Sequence, residues 1–133
     1  MVSYSSTGII VNERKILLIK RATTPFKNYW ALPGGRKEDN ESFEDCLIRE
    51  VFEETKNTIF NVHFFGGIRI KNGFGLQFSQ IYTASTCSLT AEAQAGEVLE
   101  SKYFAFNSLP KPIVPFHRML IKDFLETCTL LSY

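Results

Sequence analysis

The sequence predicts one domain of the α/β class, in its α+β form, and three observations support this prediction. The chain has 133 residues and a mass of 15.2 kDa, which suits one hydrophobic core and is too short for two. Several segments are rich in β-branched and aromatic residues, as strands are. Two other segments, after Ser42 and after Pro115, have helix caps or helical apolar spacing. We therefore treat residues 1–133 as a single domain.

Charge and cysteine content argue against several classes of protein. The net charge is +1 and the sequence pI is about 7.7, without the clustered Lys and Arg that binding to nucleic-acid backbones requires. Cys46, Cys87 and Cys128 form no CxxC pair, which favours reduced thiols in a cytosolic protein. The N-terminus resembles neither a signal peptide nor a membrane anchor. We expect a cytoplasmic protein with no nucleic-acid and no membrane partner.

The first half of the chain begins with a predicted hairpin. Residues 3–11 are rich in strand formers, 12–14 read as a turn, and 15–20 form a strand whose unbroken apolar centre predicts burial on both faces. Residues 22–29 have the composition of a loop. A short strand at 30–32 is then expected to stop at the Pro-Gly-Gly that follows it.

A helix is predicted to follow Ser42, which is a good N-cap with Asp45 three residues on in a weak form of the capping box. At 100° per residue its apolar side chains point in nearly every direction. They are Phe43, Cys46, Leu47, Ile48, Val51 and Phe52. We therefore expect this helix to be mostly buried, and its carboxylates to be more than a solvated face.

The second half predicts a further hairpin and a C-terminal helix. Strands are expected at about 59–70 and 76–85, joined at Asn72-Gly73, a strong hairpin signal. Residues 87–96 have loop composition, and 102–106 resume strand character. After Pro115 the apolar residues have the spacing of an amphipathic helix.

Acidic residues are concentrated between Gly35 and Asn57, where eight of the chain's 14 Asp and Glu lie. On a helix Glu50, Glu53 and Glu54 share one side, because they are three and four residues apart. Each close pair repels by roughly 3 kcal/mol at ~5 Å and an effective dielectric of ~20. We expect a positive group to lie there.

The acidic segment contains a spaced pattern that resembles the signature of the Nudix hydrolases. The matching positions are Gly35, Glu41, Arg49, Glu50, Val51, Glu53 and Glu54. The preceding run Trp-Ala-Leu-Pro-Gly-Gly, residues 30–35, also looks like the family. The resemblance implies a Nudix-type α/β/α sandwich with a mixed β-sheet, one Nudix hydrolase domain over 1–133, and hydrolysis of a nucleoside diphosphate linked to another group.

The resemblance also implies a metal site. It assigns Glu50, Glu53 and Glu54 to metal binding, with the backbone carbonyl of Gly35 as a further ligand. Physical chemistry agrees with these residue types, because Mg²⁺ prefers carboxylate, carbonyl and water oxygens and acidifies a bound water. The expected cofactor is Mg²⁺, with Mn²⁺ as an alternative.

A further acid is expected from outside the signature. In the family it stands six residues before the aromatic residue of a later strand, which from Tyr103 gives Glu97 as a metal and catalytic residue. Glu100 and Glu92 are less favoured candidates. Either Glu53 or Glu97 would be the general base for the attacking water, and the sequence leaves this choice open.

Three more positions have two readings each. Arg49 resembles the family arginine that orients a catalytic Glu, and a direct contact to substrate phosphate is the alternative. Glu41 complements the helix dipole, so that a structural role and a catalytic role stay open. Arg21 stands where the family has a phosphate-contacting Arg, although it also reads as a polar strand end. Gly34 and Gly35 are expected to lie against the substrate.

Aromatic and histidine residues are assigned mainly to structure. Phe26, Tyr29, Phe74 and Phe78 are candidates for stacking a base, but most of the 12 Phe residues should be core. Trp30 is expected to pack beneath the loop. The two histidines, His63 and His117, are expected to be structural.

The signature fails at one place, where Lys56 and Asn57 replace the family's Gly and aliphatic residue. A left-handed Lys costs on the order of 1 kcal/mol, and Asn tolerates this conformation better. We therefore predict that the helix continues through Lys56 and stops at Asn57.

The sequence thus favours a magnesium-dependent pyrophosphohydrolase. The run at 25–35 looks like that of ADP-ribose pyrophosphatases, which favours ADP-ribose or a related nucleotide sugar as substrate. The alternatives are hydrolysis of (d)NTPs or oxidised nucleotides, a non-catalytic nucleotide-sensing module, and a merely solvated acidic helix. A homodimer is common in the family, but no interface is apparent in the sequence.

Overall fold

The computed structural model describes residues 1–73 and 75–131, except for the side chains of 72 and 129–131. These residues form seven strands and two helices in the order β1 Val2–Asn12, β2 Lys15–Arg21, β3 Trp30–Ala31, β4 Gly34–Arg36, α1 Phe43–Thr55, β5 Phe60–Asn72, β6 Gly75–Ser85, β7 Val98–Ala105 and α2 Pro115–Leu131. In this part of the chain no helix has the length and apolar character to cross a membrane.

The strands form one mixed sheet, as predicted. Its main path is β3-β2-β1-β6-β5, while β4 pairs with β1 and β7 pairs with β2. Strands β1 and β6 are parallel along their length, and the other pairs are antiparallel. Both predicted hairpins are present, β1–β2 and β5–β6. Strand β7 begins at Val98, four residues before the predicted 102.

Alternating side chains of the central strands make two cores, one on each sheet face. Ile9 and Leu18 are fully buried in the core to which α2 contributes Ile121. Ile10 and Leu17 are fully buried on the other face, where α1 packs. Because successive strand residues point to opposite faces, burial of the whole apolar centre of β2 is the expected result of a helix on each side.

Helix α1 is less buried than predicted. Its N-cap is Ser42, whose Oγ accepts a hydrogen bond from the Asp45 backbone N–H at 3.0 Å, as expected. However, Ile48 and Phe52 are 39% and 48% exposed, so the prediction of burial on nearly every side was wrong. A helix that lies on one sheet face can bury only the stripe that faces the sheet.

The predicted end of α1 was also wrong. The helix ends at Thr55, and Lys56 takes the left-handed conformation at φ 61°, donating its backbone N–H to the Phe52 carbonyl at 2.9 Å. The Lys56 ammonium lies over the Phe52 ring, 5.2 Å from its centroid, a contact worth about 0.5–1 kcal/mol at an exposed site. Asn57 is buried, and its amide donates to the carbonyls of Thr55 and Thr90, which requires the chain to turn before it.

The prediction that strand structure stops at Pro-Gly-Gly was wrong, because Gly34–Arg36 form a further strand, β4, which pairs with β1. Thr7 and Ser5 pair with Gly34 and Arg36, and Gly8 donates its N–H to the Pro33 carbonyl at 3.0 Å. A Cβ on Gly34 would lie 2.1 Å from the backbone oxygen of Ser6. Glycine is therefore what allows this segment to lie directly against β1.

Candidate active site

A cavity of about 510 Å³ lies where the sheet divides. Strands β1 and β2 pair only at their joined ends, through Val11–Ile16 and Asn12–Lys15, and residues 30–36 lie in the gap that opens between them. Its wall combines residues from both halves of the sheet, both helices and the segment before β7: Ser3, Tyr4, Ser5, Thr7, Ile19, Arg21, Leu32, Gly34, Gly35, Arg36, Glu54, Gln77, Glu97 and His117.

Five residues that the sequence assigned to the site lie on this wall, namely Arg21, Gly34, Gly35, Glu54 and Glu97. They come from β2, β4, α1 and the segment before β7, so the fold brings together parts far apart in the chain. The two less favoured acids lie elsewhere. Glu100 is paired with Lys20 within the sheet, and Glu92 donates its backbone N–H to the Thr55 carbonyl.

Arg49 is the positive group among the acids of α1. Its Nη1 donates to Glu50 Oε1 at 2.9 Å and to both carboxylate oxygens of Glu53 at 3.3 Å. Its Nη2 and Nε donate to Glu41 at 2.7 and 3.1 Å. Arg49 therefore contacts three carboxylates at once, and it partly offsets the repulsion expected between Glu50 and Glu53.

Glu41 ties the loop before α1 to the helix. Its carboxylate accepts from Arg49 and from the backbone N–H of Glu38, at 2.9 Å for the latter. The Arg49 guanidinium, with this backbone bond as the second cause, lowers the pKa of Glu41 to about 2. Glu41 is thus ionised at neutral pH and bound to the helix, a geometry that fits the structural reading of this residue.

Glu54 and Glu50 are carboxylates whose charge the fold disfavours. Glu54 is 8% exposed, and burial raises its pKa to about 8, although its Oε1 accepts the Gly34 N–H at 2.9 Å. Burial also raises the pKa of Glu50, against the lowering effect of Arg49. Such groups favour a nearby cation.

The oxygen atoms near Gly35 are of the kind that bind a hard divalent cation. Within residues 1–73 and 75–131 no three His, Cys, Asp or Glu side chains already converge as a metal site. In this structure Glu50 and Glu53 accept hydrogen bonds from Arg49, and Glu54 accepts one from the Gly34 N–H. Glu50 nevertheless lies against Gly35, where a Cβ would be 2.4 Å from its carboxyl carbon. The available ligands are carboxylate and carbonyl oxygens, which Mg²⁺ and Mn²⁺ prefer.

Arg21 and Arg36 add positive charge to the cavity wall. The Arg21 Nε donates to the Pro25 carbonyl at 2.9 Å, so the side chain is fixed against the loop that follows β2. The backbone carbonyl of Arg36 accepts a hydrogen bond from Arg49 at 3.2 Å. Two guanidinium groups beside a carboxylate helix form a surface suited to phosphate oxygens.

The contacts of His117 fit the structural role expected for it. His117 Nδ1 accepts the Leu32 backbone N–H at 3.0 Å, and burial lowers the pKa of the imidazole to about 4. It is therefore neutral at pH 7, and it fixes the wall of the cavity. His63 lies exposed on β5.

The aromatic candidates for base stacking lie off the wall. Phe26 and Tyr29 pack on each other with ring centroids 5.2 Å apart, while Phe78 stacks on Tyr4 at 5.7 Å. Phe74 lies outside the described residues. Trp30 is buried and meets Phe104 edge-on at 4.8 Å, consistent with the packing role expected for it.

Sequence reasoning missed the polar wall opposite α1. Ser3, Ser5 and Thr7 of β1 line the cavity together with Gln77 of β6. The signal was present in β1, where three small hydroxyl residues alternate at the period of a strand before the apolar Ile9. The partner on β6 had no local signal, because its position depends on the parallel pairing of Ser3 with Gln77.

Comparison with known proteins agrees with this fold. A family model of the NUDIX domain matches residues 3–124. An ADP-ribose pyrophosphatase from Methanocaldococcus jannaschii is 36% identical over 90% of this chain and 70% of that protein. A putative 8-oxo-dGTP diphosphatase from Bacillus subtilis is 33% identical over 93% and 80% respectively.

A solved structure shows the same architecture. The MutT NUDIX hydrolase from Burkholderia pseudomallei superposes with a TM-score of 0.82 over 92% of this chain and 97% of that one, at 23% identity. These findings define the protein as an enzyme that hydrolyses phosphoanhydride bonds. The chain belongs to the Nudix hydrolase family.

Proposed function

We propose that this pyrophosphohydrolase cleaves ADP-ribose or a related nucleotide sugar at its pyrophosphate bond. The observation that carries the proposal is the 36% identity to an ADP-ribose pyrophosphatase across 90% of the chain. The cavity supports it, because its volume of about 510 Å³ is within the range of sites for ligands of this size.

Nudix hydrolases generally use a divalent metal, and we propose Mg²⁺, with Mn²⁺ as an alternative. Glu50, Glu53, Glu54 and Glu97 would hold it with the carbonyl of Gly35. A bound divalent cation neutralises pyrophosphate oxygens and acidifies a water. The support is the oxygen-only donor set and the raised pKa of the buried Glu54 and of Glu50.

The protein side chains have separate proposed tasks. Arg49 orients Glu53 through two hydrogen bonds of 3.3 Å, and Arg21 binds phosphate from the cavity wall beside Gly34 and Gly35. Glu53 and Glu97 both stay candidates for the base that takes the proton of the attacking water. The partial exposure of Glu53 and the place of Glu97 on the wall give each access to water.

The proposal also covers the setting of the enzyme. The described cysteines are all free thiols, which fits a cytoplasmic enzyme. The proposed partner is a small nucleotide substrate, with neither nucleic acid nor membrane required. Homodimerisation is proposed from the family resemblance alone, and size-exclusion chromatography with light scattering tests it.

A substrate panel tests the proposal directly. Purified enzyme is assayed with ADP-ribose, other nucleotide sugars, dinucleoside polyphosphates and NTPs, each with Mg²⁺ and with Mn²⁺, and products are separated by ion-exchange chromatography. We expect AMP and ribose 5-phosphate from ADP-ribose, with the highest kcat/KM of the panel. A higher kcat/KM for another class would overturn the substrate assignment.

Oxidised nucleotides are the second candidate substrates. The 33% identity to a putative 8-oxo-dGTP diphosphatase over 93% of the chain favours including them. In the same panel, 8-oxo-dGTP would yield the monophosphate and pyrophosphate. A preference for 8-oxo-dGTP over ADP-ribose would select this alternative.

A further inference from the structure

Gln77 is held by two serines on the wall of the cavity. Its Nε2 donates to Ser5 Oγ at 2.9 Å and to Ser79 Oγ at 3.3 Å. The two serine hydroxyls are also hydrogen-bonded to each other, and both residues are buried. The parallel register of β1 and β6 places Ser5 directly beside Ser79, so the three side chains form one rigid cluster.

In the structure the oxygen end of the Gln77 amide is the one left available to the cavity. Both of its hydrogen bonds with described residues are donated by Nε2, and none is accepted by its Oε1. The oxygen is held in the plane of an amide that the serines orient. Gln77 therefore offers the cavity a preorganised acceptor, with lone pairs for an N–H group.

Gln77 lies at the other end of the cavity from Gly34 and Glu54, which are hydrogen-bonded to each other. The sheet pairs Gln77 with Ser3, whereas Gly34 pairs with Thr7 further along β1. Four residues of strand separate these positions, or about 13 Å. This distance suits a nucleotide whose phosphates lie beside Gly34 and Arg21 and whose base reaches Gln77.

We propose that Gln77 is a specificity-determining residue that recognises the nucleobase. Its Oε1 accepts a hydrogen bond from an exocyclic amino group, which selects adenine over hypoxanthine, a base with a carbonyl at the same position. A site built to hydrogen-bond one group discriminates against an analogue that lacks it. This inference rests on the proposed nucleotide substrate and specifies how its base is chosen.

Equilibrium binding of AMP and IMP tests the inference without hydrolysis. Isothermal titration calorimetry on the full chain compares the wild type with Gln77→Met, which removes the amide at similar length. Gln80→Met is the matched control, because Gln80 lies on the same strand but on the opposite face, hydrogen-bonded to Tyr82. A Ser5→Ala/Ser79→Ala variant keeps Gln77 and frees its amide.

We expect the wild type to bind AMP about tenfold more tightly than IMP, the size of one good hydrogen bond. Gln77→Met should abolish this preference, Gln80→Met should keep it, and the double serine variant should lose most of it. Should Gln77→Met fail to fold, as judged by thermal unfolding, the double serine variant tests the same preference. The inference is overturned by equal binding of AMP and IMP, by tighter IMP binding, or by a preference that survives the loss of Gln77.

The two proposals fail in different ways. If ADP-ribose is not hydrolysed but AMP binds with a preference that depends on Gln77, the proposed substrate is wrong and the inference stands. If ADP-ribose is hydrolysed while Gln77→Met keeps the preference for AMP, the proposed function stands and the inference falls. Absence of both AMP and IMP binding at millimolar concentration also overturns the inference.

Discussion

Arg49 and Glu41 form a two-point ion pair that joins α1 to the loop before it, with N···O distances of 2.7 and 3.1 Å. The same guanidinium reaches Glu50 and Glu53 through Nη1. Since Glu41 binds the Nε and Nη2 groups of the Arg49 guanidinium, Nη1 points to Glu50 and Glu53 in a fixed orientation. A loop residue thereby influences the position of carboxylates on the helix.

The first prediction concerns the pH dependence of this pair. The pKa of Glu41 is lowered to about 2 from 4.5, so its stabilising effect is fully present above the unfolded value and is lost as pH falls through 2. The difference in unfolding free energy between wild type and Glu41→Gln should be constant from pH 7 to about 5.5 and shrink below about 4.5. Urea unfolding at each pH measures it. A difference that grows on acidification would contradict the assignment.

The second prediction concerns catalysis by Glu53. Glu53→Gln keeps the size of the side chain but removes its charge and its basicity. We expect kcat to fall by roughly 10²–10⁴-fold, the range of a lost general base, with little change in thermal stability because the side chain is partly exposed. Glu44→Gln, an exposed acid in the first turn of the same helix, is the control and should keep wild-type activity. Near wild-type turnover of Glu53→Gln would refute the role of Glu53.

The third prediction is that Gly34 and Gly35 of β4 have different roles, one in stability and the other in metal binding. At Gly35 the three atoms nearest to an added Cβ all belong to the flexible end of the Glu50 side chain, the closest at 2.4 Å. Gly35→Ala should therefore fold with a small change in Tm, displace Glu50, and raise the Mg²⁺ concentration needed for half-maximal activity. At Gly34 the added Cβ meets the Ser6 backbone oxygen at 2.1 Å. Gly34→Ala should lose about 1–3 kcal/mol of stability.

Calorimetry and metal titrations of both variants test this contrast. Equal loss of stability in the two variants would contradict the expected contrast and show that the fold requires Gly35 as much as Gly34. An unchanged metal requirement in Gly35→Ala would remove the argument that Glu50 lies at the metal.

What the sequence predicts well is local. The spacing of Glu50, Glu53 and Glu54 and the Asn-Gly turn are patterns within a few residues, and the structure has the corresponding helix and hairpin. What it missed depends on contacts distant in sequence. Strand β4 exists because Gly34 allows a close approach to Ser6, and that contact leaves no local periodicity to detect.

The polar wall of the cavity and the end of α1 have the same kind of explanation. Gln77 meets Ser5 only through the parallel pairing of β1 and β6, which crosses more than half of the chain. Lys56 is left-handed against its own propensity, because burial of Asn57 against Thr90 and Tyr103 determines where the helix must turn. Tertiary contacts outweigh a local cost of about 1 kcal/mol here.

The fourth prediction tests the buried bonds of Asn57. Its amide donates to the Thr55 and Thr90 carbonyls, and its Oδ1 accepts from the Tyr103 hydroxyl. Asn57→Ala removes three hydrogen bonds at a buried position, although Thr55, Thr90 and Tyr103 each keep one other partner, and should cost about 1–3 kcal/mol. The exposed Asn107→Ala is the control and should change stability by less than about 0.5 kcal/mol.

Activity measurements complete the Asn57 test. The folded fraction of Asn57→Ala should keep the wild-type kcat at a temperature well below its Tm. Asn57 follows the C-terminal end of α1 and is not part of the cavity wall. A kcat that falls tenfold in fully folded protein would instead connect Asn57 with the position of the carboxylates.

The fifth prediction concerns the left-handed Lys56, at φ 61°. Lys56→Gly relieves the strain of this conformation but loses the contact of the ammonium with Phe52, whereas Lys56→Ala loses the contact and keeps the strain. We therefore expect Gly to be more stable than Ala by about 1 kcal/mol, with Lys between them because its cation–π contact recovers about 0.5 kcal/mol. Urea unfolding of the three proteins gives the order.

Since Lys56 is exposed and follows the helix, kcat should be the same in all three. If Ala were as stable as Gly, the left-handed conformation would cost nothing at this position, and the family's glycine would need another explanation than backbone strain.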